Sequence, residues 1–299
     1  MIEKPTVVVL MSTYNGAAHL EEQIESIINQ EDVNVRLIIR DDGSKDDTVA
    51  LAKKYTDEVI EGSNLGYRYS FLELIRNAPD ADYYALSDQD DIWKPQKLVS
   101  ATKMIEKQES NFGESHPVLY ASSRSNIING KVVEAKELNS YKKTPFNGFD
   151  NGYHLQGCTM VFNNSLKSIL TKYIPQHLIT SHDVWIHQLC KAMNGVVIYD
   201  PRPTLLYRLE SNTIGVPKNR VLERVKGLFI DTKESDIINL CSNIIEGYHD
   251  SLPSANLVIC VQLCNYKKEK IKVLFNPLYY KGRWSINIYR FVAFLFNKA

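Results

Sequence analysis

The sequence has no Gly-x-Gly-x-x-Gly and no Gly-Lys-Ser/Thr, so neither a dinucleotide fingerprint nor a P-loop is present. A nucleotide would have to be gripped by side chains and a metal ion instead. No apolar run reaches the roughly 18 residues of a spanning helix, so any membrane contact is expected to be peripheral. An excess of one charge is also missing: 35 lysines and arginines balance 35 aspartates and glutamates. Bulk charge therefore argues for neither a nucleic-acid partner nor an acidic tail. Cysteines are few. Cys158, Cys190, Cys241, Cys260 and Cys264 are odd in number and scattered, and Cys260 with Cys264 lacks a second ligand pair. That favours buried free thiols in a reducing compartment over a zinc site. Met1-Ile2-Glu3-Lys4-Pro5 runs straight into a strand pattern without the marks of a signal peptide, and the expected location is the cytoplasm.

What is present is a strand–helix rhythm. Thr6 to Met11 is a continuous β-branched run that reads as a central parallel strand buried on both faces. It ends in Ser12-Thr13-Tyr14-Asn15-Gly16. The stretch Ala17 to Gln30 then puts Leu20, Ile24, Ile27 and Ile28 on one helical stripe. Val35 to Arg40 repeats the strand, Asp41 to Thr48 the polar loop, and Asp47 to Tyr55 the helix. A short strand at Glu58 to Ile60 leads to Asn64-Leu65-Gly66 and a helix through Phe71 and Ile75. A fourth strand runs Tyr83 to Leu86. The implied architecture is α/β, with a mostly parallel central sheet flanked by helices and the polar loops gathered along one edge.

The fourth strand stops at Ser87-Asp88-Gln89-Asp90-Asp91-Ile92-Trp93, which puts three acids at the sheet's carboxyl edge, where open α/β folds bind ligands. In extended backbone Asp88 and Asp90 share a side, and two converging carboxylates suit a hard divalent cation that also takes phosphate oxygens. The same residues equally read as a solvated loop or a cap on the helix expected from Pro95 to about Gln108. Further on come a strand at Pro117 to Ser122, a hairpin turning at Asn129-Gly130, a polar loop from Lys142 to Asn151, and a strand from Leu155 to Phe162. Helices follow near Ser165 to Tyr173 and from Ser181, then short strands at Gly195 to Tyr199 and Thr204 to Leu209. From about Lys218 the pattern is helical, giving a division into 1–215 and a helical region 216–299. Lys267 to Ala299 mixes basic and aromatic residues; this suits either the headgroup layer of an anionic membrane or a packed helix with a solvated basic face.

With these residues in place, the chain resembles the inverting nucleotide-sugar glycosyltransferases of family 2, which have the GT-A fold. The resemblance covers about residues 5 to 215 and rests on an ordered set: Ser12-Thr13-Tyr14-Asn15, Asp41-Asp42-Gly43-Ser44, Asn64-x-Gly66, Asp88-Gln89-Asp90-Asp91 and His182-Asp183-x-Trp185. Ser-Asp-Gln-Asp-Asp-Ile-Trp, the stretch Gly157 to Asn163, and Tyr207-Arg208 ahead of Asn212 to Gly215 look most like bacterial rhamnosyltransferases that assemble cell-surface polysaccharide. It implies that Thr13, Tyr14 and Asn15 line the base and ribose pocket, that Asp41 and Asp42 reach the pyrimidine, and that Asn64 and Gly66 belong to the same pocket. Asp88 and Asp90 match the Asp-x-Asp motif, Asp90 being the expected direct ligand of Mg2+ or Mn2+. Asp183 stands where such enzymes place the general base, with His182, Trp185 and Gly157 on the acceptor side. Capping of its helix by Asp183, turn chemistry at Asn64 and Gly66, and core packing of Trp185 and Gly157 are the alternatives.

One position departs from the pattern. Related enzymes often have a histidine shortly after the Tyr-Arg pair, and here Leu209-Glu210 follows. Either Glu210 is an oxygen ligand, or Arg208 neutralises the diphosphate without that contact. The implied partners are a dTDP- or UDP-sugar, dTDP-β-L-rhamnose above all, and a glycan or lipid-linked acceptor at the inner membrane face. Another hexosyl donor is the alternative, and a non-catalytic sugar-nucleotide binder a further one.

Overall fold

A computed structural model of the chain describes residues 3–134, 145–148, 155–209 and 234–280. The amino-terminal half is the expected alternation: β1 (Thr6–Thr13), α1 (Ala17–Ile28), β2 (Asn34–Asp41), α2 (Thr48–Ala52), β3 (Val59–Glu61), α3 (Tyr67–Asn77) and β4 (Tyr83–Ser87). After the acid cluster come β5 (Ile92–Trp93), α4 (Lys97–Phe112), β6 (Val118–Ile128) and β7 (Lys131–Glu134). Then follow β8 (Val161–Asn163), α5 (Asn164–Leu170), α6 (His182–Ala192) and β9 (Val196–Leu209), and finally α7 (Glu234–Tyr248), α8 (Ser254–Cys264) and α9 (Lys270–Phe275).

The strands form one sheet in the order β3-β2-β1-β4-β8-β6-β9-β5, with β7 paired to β6. The pairings orient β1, β2, β3, β4, β6 and β9 one way and β5, β7 and β8 the other. The first four strands are therefore parallel, and their registers align Thr13 with Asp41 and Met11 with Ser87. Their carboxyl ends, where the polar loops begin, lie along one rim.

Alternation along β1 decides what each face carries. Val7, Val9 and Met11 pack with Leu20, Ile24 and Ile27 of α1 and Leu98, Ala101 and Ile105 of α4. Val8 and Leu10 face the other way, onto Phe71 and Ile75 of α3 and Trp185, Ile186 and Leu189 of α6. Each such side chain contributes about 1.5–3 kcal/mol on burial. Leu240, Cys241 and Ile244 of α7 and Ile259, Cys260 and Leu263 of α8 join that second cluster, so the carboxy-terminal helices enlarge the core of the sheet. The division expected at residue 215 falls outside the described residues.

The structure corrects three local expectations. Leu155 to Phe162 is not one strand: Gly157–Thr159 is a 3-10 turn, and only Val161–Asn163 pairs in the sheet. The two strands expected between Gly195 and Leu209 are one, whose pairing with β6 slips opposite Ser122 to Ser125. Ile92–Trp93 forms a short strand on β9, too brief to carry a periodic signal. The hairpin behaves as expected, with Asn129 and Gly130 both at positive φ. Among the described residues no helix is long and apolar enough to cross a membrane. The basic, aromatic carboxy terminus is described only as far as residue 280; within it Ile271 and Phe275 are exposed while Val273 and Leu274 are buried.

Arg40, near the carboxyl end of β2, holds the rim together. Its guanidinium meets Asp42 at 2.5 Å, Ser70 at 3.1 Å and Glu73 at 3.2 Å on α3, and the Ser63 carbonyl at 3.0 Å. The Arg40 and Asp42 side chains are only 3% and 4% exposed. Asp42 in turn accepts the backbone N–H groups of Leu65 and Gly66, both at 2.8 Å. Removing one member leaves the other charge buried and unpaired, so Arg40→Leu is expected to lower stability by about 3–5 kcal/mol in urea unfolding. A cost below about 1 kcal/mol would show that the clamp is dispensable.

Candidate active site

Two loops at the rim are stitched to each other through side chain to backbone bonds. Asp41 takes four donors from its surroundings: Thr13 Oγ1 at 3.0 Å, the Gly43 and Ser44 N–H groups at 3.0 and 2.8 Å, and Ser44 Oγ at 2.5 Å. Asn15, at φ +47°, donates its N–H to Ser44 Oγ and accepts the Lys45 N–H, both at 2.8 Å. Asn64 Oδ1 accepts from Gly66 N–H at 3.0 Å, and Gly66 adopts φ +74°, which favours glycine. Thr13, Asn15, Asp41, Asp42, Asn64 and Gly66 thus shape one wall, and the half-exposed ring of Tyr14 stands at its lip. The carboxylate of Asp41 is engaged by Thr13, Gly43 and Ser44, and that of Asp42 by Arg40, Leu65 and Gly66.

Gln89, which sequence reasoning passed over, joins this wall to the acid cluster. Its Oε1 accepts the Tyr14 N–H at 2.8 Å and its Nε2 donates to the Tyr14 carbonyl at 3.2 Å. The amide lies so close to Gly16 that a Cβ there would sit 2.2 Å from Gln89 Oε1. The adjacent Gly16 was the available signal.

The acids themselves crowd together. Ligating atoms of Asp88, Asp91 and Cys158 lie within 4.8 Å of one another. Asp91 is buried; its Oδ1 accepts the Arg208 N–H at 3.3 Å, while Oδ2 has no hydrogen-bond partner. Burial raises the Asp88 carboxyl to about 7, with the charges of Asp90 and Asp183 adding to the effect. Burial, then Asp88 and Asp90, push Asp91 well above the usual carboxylate range. Beneath them Lys97 is fully buried, its Nζ 4.5 Å above the Trp93 ring and without a hydrogen-bond partner. Its ammonium is lowered to about 8 by burial, against the opposing pull of Cys158 and Asp91.

Oxygen donors brought together against their own repulsion suit a hard cation such as Mg2+ or Mn2+. Asp88 and Asp91 fit that group, whereas Asp90, expected from the motif as the direct ligand, does not converge with them. Cys158 does not fit, because burial pushes its thiol well above its ordinary value and thiolate is a soft ligand. Asp91 was legible in the motif as a third acid, but only its burial reveals its part in the cluster.

Across the rim, α6 begins at Ser181, and Asp183 lies in its first turn, where the helix dipole favours a carboxylate. Asp183 Oδ2 accepts the Gly157 N–H at 3.2 Å; Oδ1 accepts the Val184 N–H at 2.8 Å and a short bond from Ser181 Oγ. His182 stacks on Phe71 at 4.2 Å between ring centroids and lies edge-on to Tyr67 at 6.0 Å. A Cβ on Gly157 would come within 2.4 Å of His182 Nε2, so only glycine lets the 3-10 turn approach α6.

Trp185 requires a correction. It is 1% exposed and packs in the core 6.5 Å from the Tyr248 ring, so it cannot flank an acceptor; its spacing on α6 turns it to the sheet. His182 is likewise buried under Tyr67 and Phe71, and Tyr67 is the aromatic ring exposed beside it. Arg208 reaches the acid loop through Nε to the Asp90 carbonyl at 3.0 Å and pairs with Glu22 at 2.7 Å. Glu210, the proposed substitute for a metal-site histidine, lies outside the described residues.

A protein-family model described as glycosyl transferase family 2 matches residues 8–169, more than half of the chain. The chain belongs to this family. Its sheet and rim are those of the GT-A fold. Over 222 residues it is 29% identical to the dTDP-rhamnosyl transferase RfbG of Shigella flexneri, covering 69% of this chain and 73% of that one. The S. aureus TarS 1-349 structure in complex with UDP-GlcNAc superposes with a TM-score of 0.58 at 14% identity, covering 98% of this chain and 80% of TarS 1-349. The mannosyltransferase PcManGT from Pyrobaculum calidifontis, in complex with GDP-Man and Mn2+, gives 0.50 at 15% identity over 100% of this chain and 89% of that one. This family 2 glycosyltransferase shares its fold with both.

Two outcomes are expected from the site's packing. Gly16→Ala should cost about 1–3 kcal/mol by overpacking against Gln89, and adding Gln89→Ala should return part of that loss; additive costs in urea unfolding would disprove the contact. For Asp88, the folded chain keeps a proton up to about pH 7, whereas the unfolded chain releases it near pH 4. The folded state then binds more protons in that window, so this group's contribution to stability falls as pH rises from about 4 to about 7. Asp88→Asn should flatten the slope in thermal melts without divalent ions.

Proposed function

We propose that the chain is a metal-dependent, inverting glycosyltransferase that moves L-rhamnose from dTDP-β-L-rhamnose to a glycan or lipid-linked acceptor in cell-surface polysaccharide synthesis. The observation that carries the reading is geometric: Asp183 Oδ2 accepts the Gly157 N–H at 3.2 Å, and the next residue, Cys158, has its sulfur within 4.8 Å of carboxylate oxygens of Asp88 and Asp91. In this reading the acid cluster is the cation site and Asp183, on the neighbouring helix, is the separate carboxylate. The donor sugar rests on the likeness to the dTDP-rhamnosyl transferase RfbG.

Asp88 and Asp91 hold Mg2+ or Mn2+, which when bound offsets the charge developing on the leaving diphosphate. Tyr14, Asn15 and the Asp41–Asp42 loop bound the nucleoside. Arg208 lies beside the acid loop, where its guanidinium can exchange Glu22 for a phosphate oxygen. Asp183 takes the proton of the acceptor hydroxyl as that oxygen attacks the anomeric carbon on the face opposite the diphosphate. The Gly157 N–H and the Ser181 hydroxyl hold its two oxygens in place. Exposed Tyr67, beside His182, offers a ring face to a sugar.

Release of nucleoside diphosphate from dTDP-rhamnose, UDP-glucose, UDP-galactose and UDP-GlcNAc, with and without EDTA, tests donor and cation together. The expected result is turnover fastest with dTDP-rhamnose and lost in EDTA. A preference for UDP-GlcNAc would reassign the donor, and turnover unaffected by EDTA would remove the cation. Asp183→Asn is expected to reduce transfer by about 10²–10⁴-fold while dTDP binding persists; full activity would exclude Asp183 as the base.

A further inference from the structure

Glu22 of α1 stands outside the acids assigned to the cation and to the acceptor proton, yet it holds the guanidinium assigned to the diphosphate. Its Oε2 accepts from Arg208 Nη2 at 2.7 Å. The pair is uneven, with the Arg208 side chain 20% exposed and that of Glu22 57%. Arg208 is anchored at its other end, because its backbone N–H reaches Asp91 Oδ1 at 3.3 Å and its Nε the Asp90 carbonyl at 3.0 Å. The side chain therefore runs from β9 over the acid loop to α1.

The helix that carries Glu22 is bonded to both flanks of that loop. Gln23 donates from Nε2 to Ser87 Oγ at 2.7 Å, ahead of the acids. After them, Ser26 Oγ accepts the Trp93 N–H at 2.9 Å, and Gln30 accepts the Leu98 N–H at 2.9 Å and donates to the Lys94 carbonyl at 2.8 Å. Ile92–Trp93 in turn pairs with Leu205–Leu206 of β9. These bonds fix α1, the acid loop and β9 to one another without the Glu22 carboxylate, which adds an exposed ion pair of little worth to stability. Glu21 and Glu25, on the same helix, accept instead from the Tyr55 hydroxyl at 2.8 and 3.4 Å.

We propose that Glu22 competes with the donor's diphosphate for Arg208 and so sets the affinity for the donor; the proposal rests on the sugar-nucleotide reading above. Carboxylate and phosphate offer a guanidinium the same kind of paired oxygens, so one can replace the other on Arg208. The more exposed partner is the one that leaves. A displaced Glu22 turns to water, while Arg208 stays anchored on the Asp90 carbonyl beside the acid loop. Glu22 is thus a positioning residue that acts through Arg208 and touches no reacting atom.

The test titrates the full chain with dTDP in the presence of Mg2+ by calorimetry. Glu22→Gln is expected to tighten dTDP about two- to fivefold, the range of an exposed ion pair, and to leave thymidine binding unchanged. Glu21→Gln removes the same charge from the same helix without touching Arg208, and should tighten dTDP less. In an Arg208→Gln background Glu22→Gln should have no effect. In turnover, Glu22→Gln should lower the donor KM by the same factor at constant kcat. Should Arg208→Gln fail to fold, the comparison with Glu21→Gln decides alone. Equal dTDP affinity with and without Glu22, or an equal gain in Glu21→Gln or in the Arg208→Gln background, would overturn the proposal and leave the sugar-nucleotide reading standing. A chain that binds none of dTDP, UDP and GDP would remove that reading and the proposal with it.

Discussion

The site depends on like charges held closer together than they would choose. Asp88, Asp90 and Asp91 follow one another at the end of β4, and α6 brings Asp183 toward them from the other side. Asp91 is buried and Asp88 only partly exposed, so little water screens them and the cluster carries an electrostatic cost that protons or a divalent cation relieve. Lys97 supplies a positive charge from below, yet its ammonium is itself fully buried and without a hydrogen-bond partner.

The surrounding frame is built by a second set of aspartates with the opposite treatment. Asp41 receives four donors and Asp42 three, and through them the loops after β1, β2 and β3 become one wall. Satisfied carboxylates hold the loops, and the buried, unpartnered Asp91 Oδ2 remains available to a ligand. Gln89 connects the two sets, since it follows Asp88 and grips the Tyr14 backbone. The same logic extends to Asp183, whose bonds from Gly157, Val184 and Ser181 orient it while leaving the Coulombic pressure from Asp88 in place.

The amino-terminal half was largely legible because its signals are local. Thr6 to Met11 can only be a strand buried on both faces, and Leu20, Ile24 and Ile27 repeat at helical spacing. Trp185 shows where such reading fails: its place beside Asp183 in the motif suggested the acceptor, but helical periodicity turns it onto the Tyr248 side of the core. Leu155 to Phe162 reads as a strand by composition, yet Gly157 bends into a turn because His182 and Asp183 of α6 claim the space and the N–H beside it. No residue within that stretch announces a partner so far along the chain.

The order of strands and polar loops, the acids that follow β4 and membership of glycosyl transferase family 2 were all determined by the sequence itself, because periodicity and motif order are properties of neighbours in the chain. Tertiary structure alone decided which aspartates are satisfied and which are pressed together, that Gln89 fills the space over Gly16, and that Trp185 is core. Those outcomes depend on contacts between residues far apart in sequence and on the exclusion of water, and neither exists until the sheet has folded.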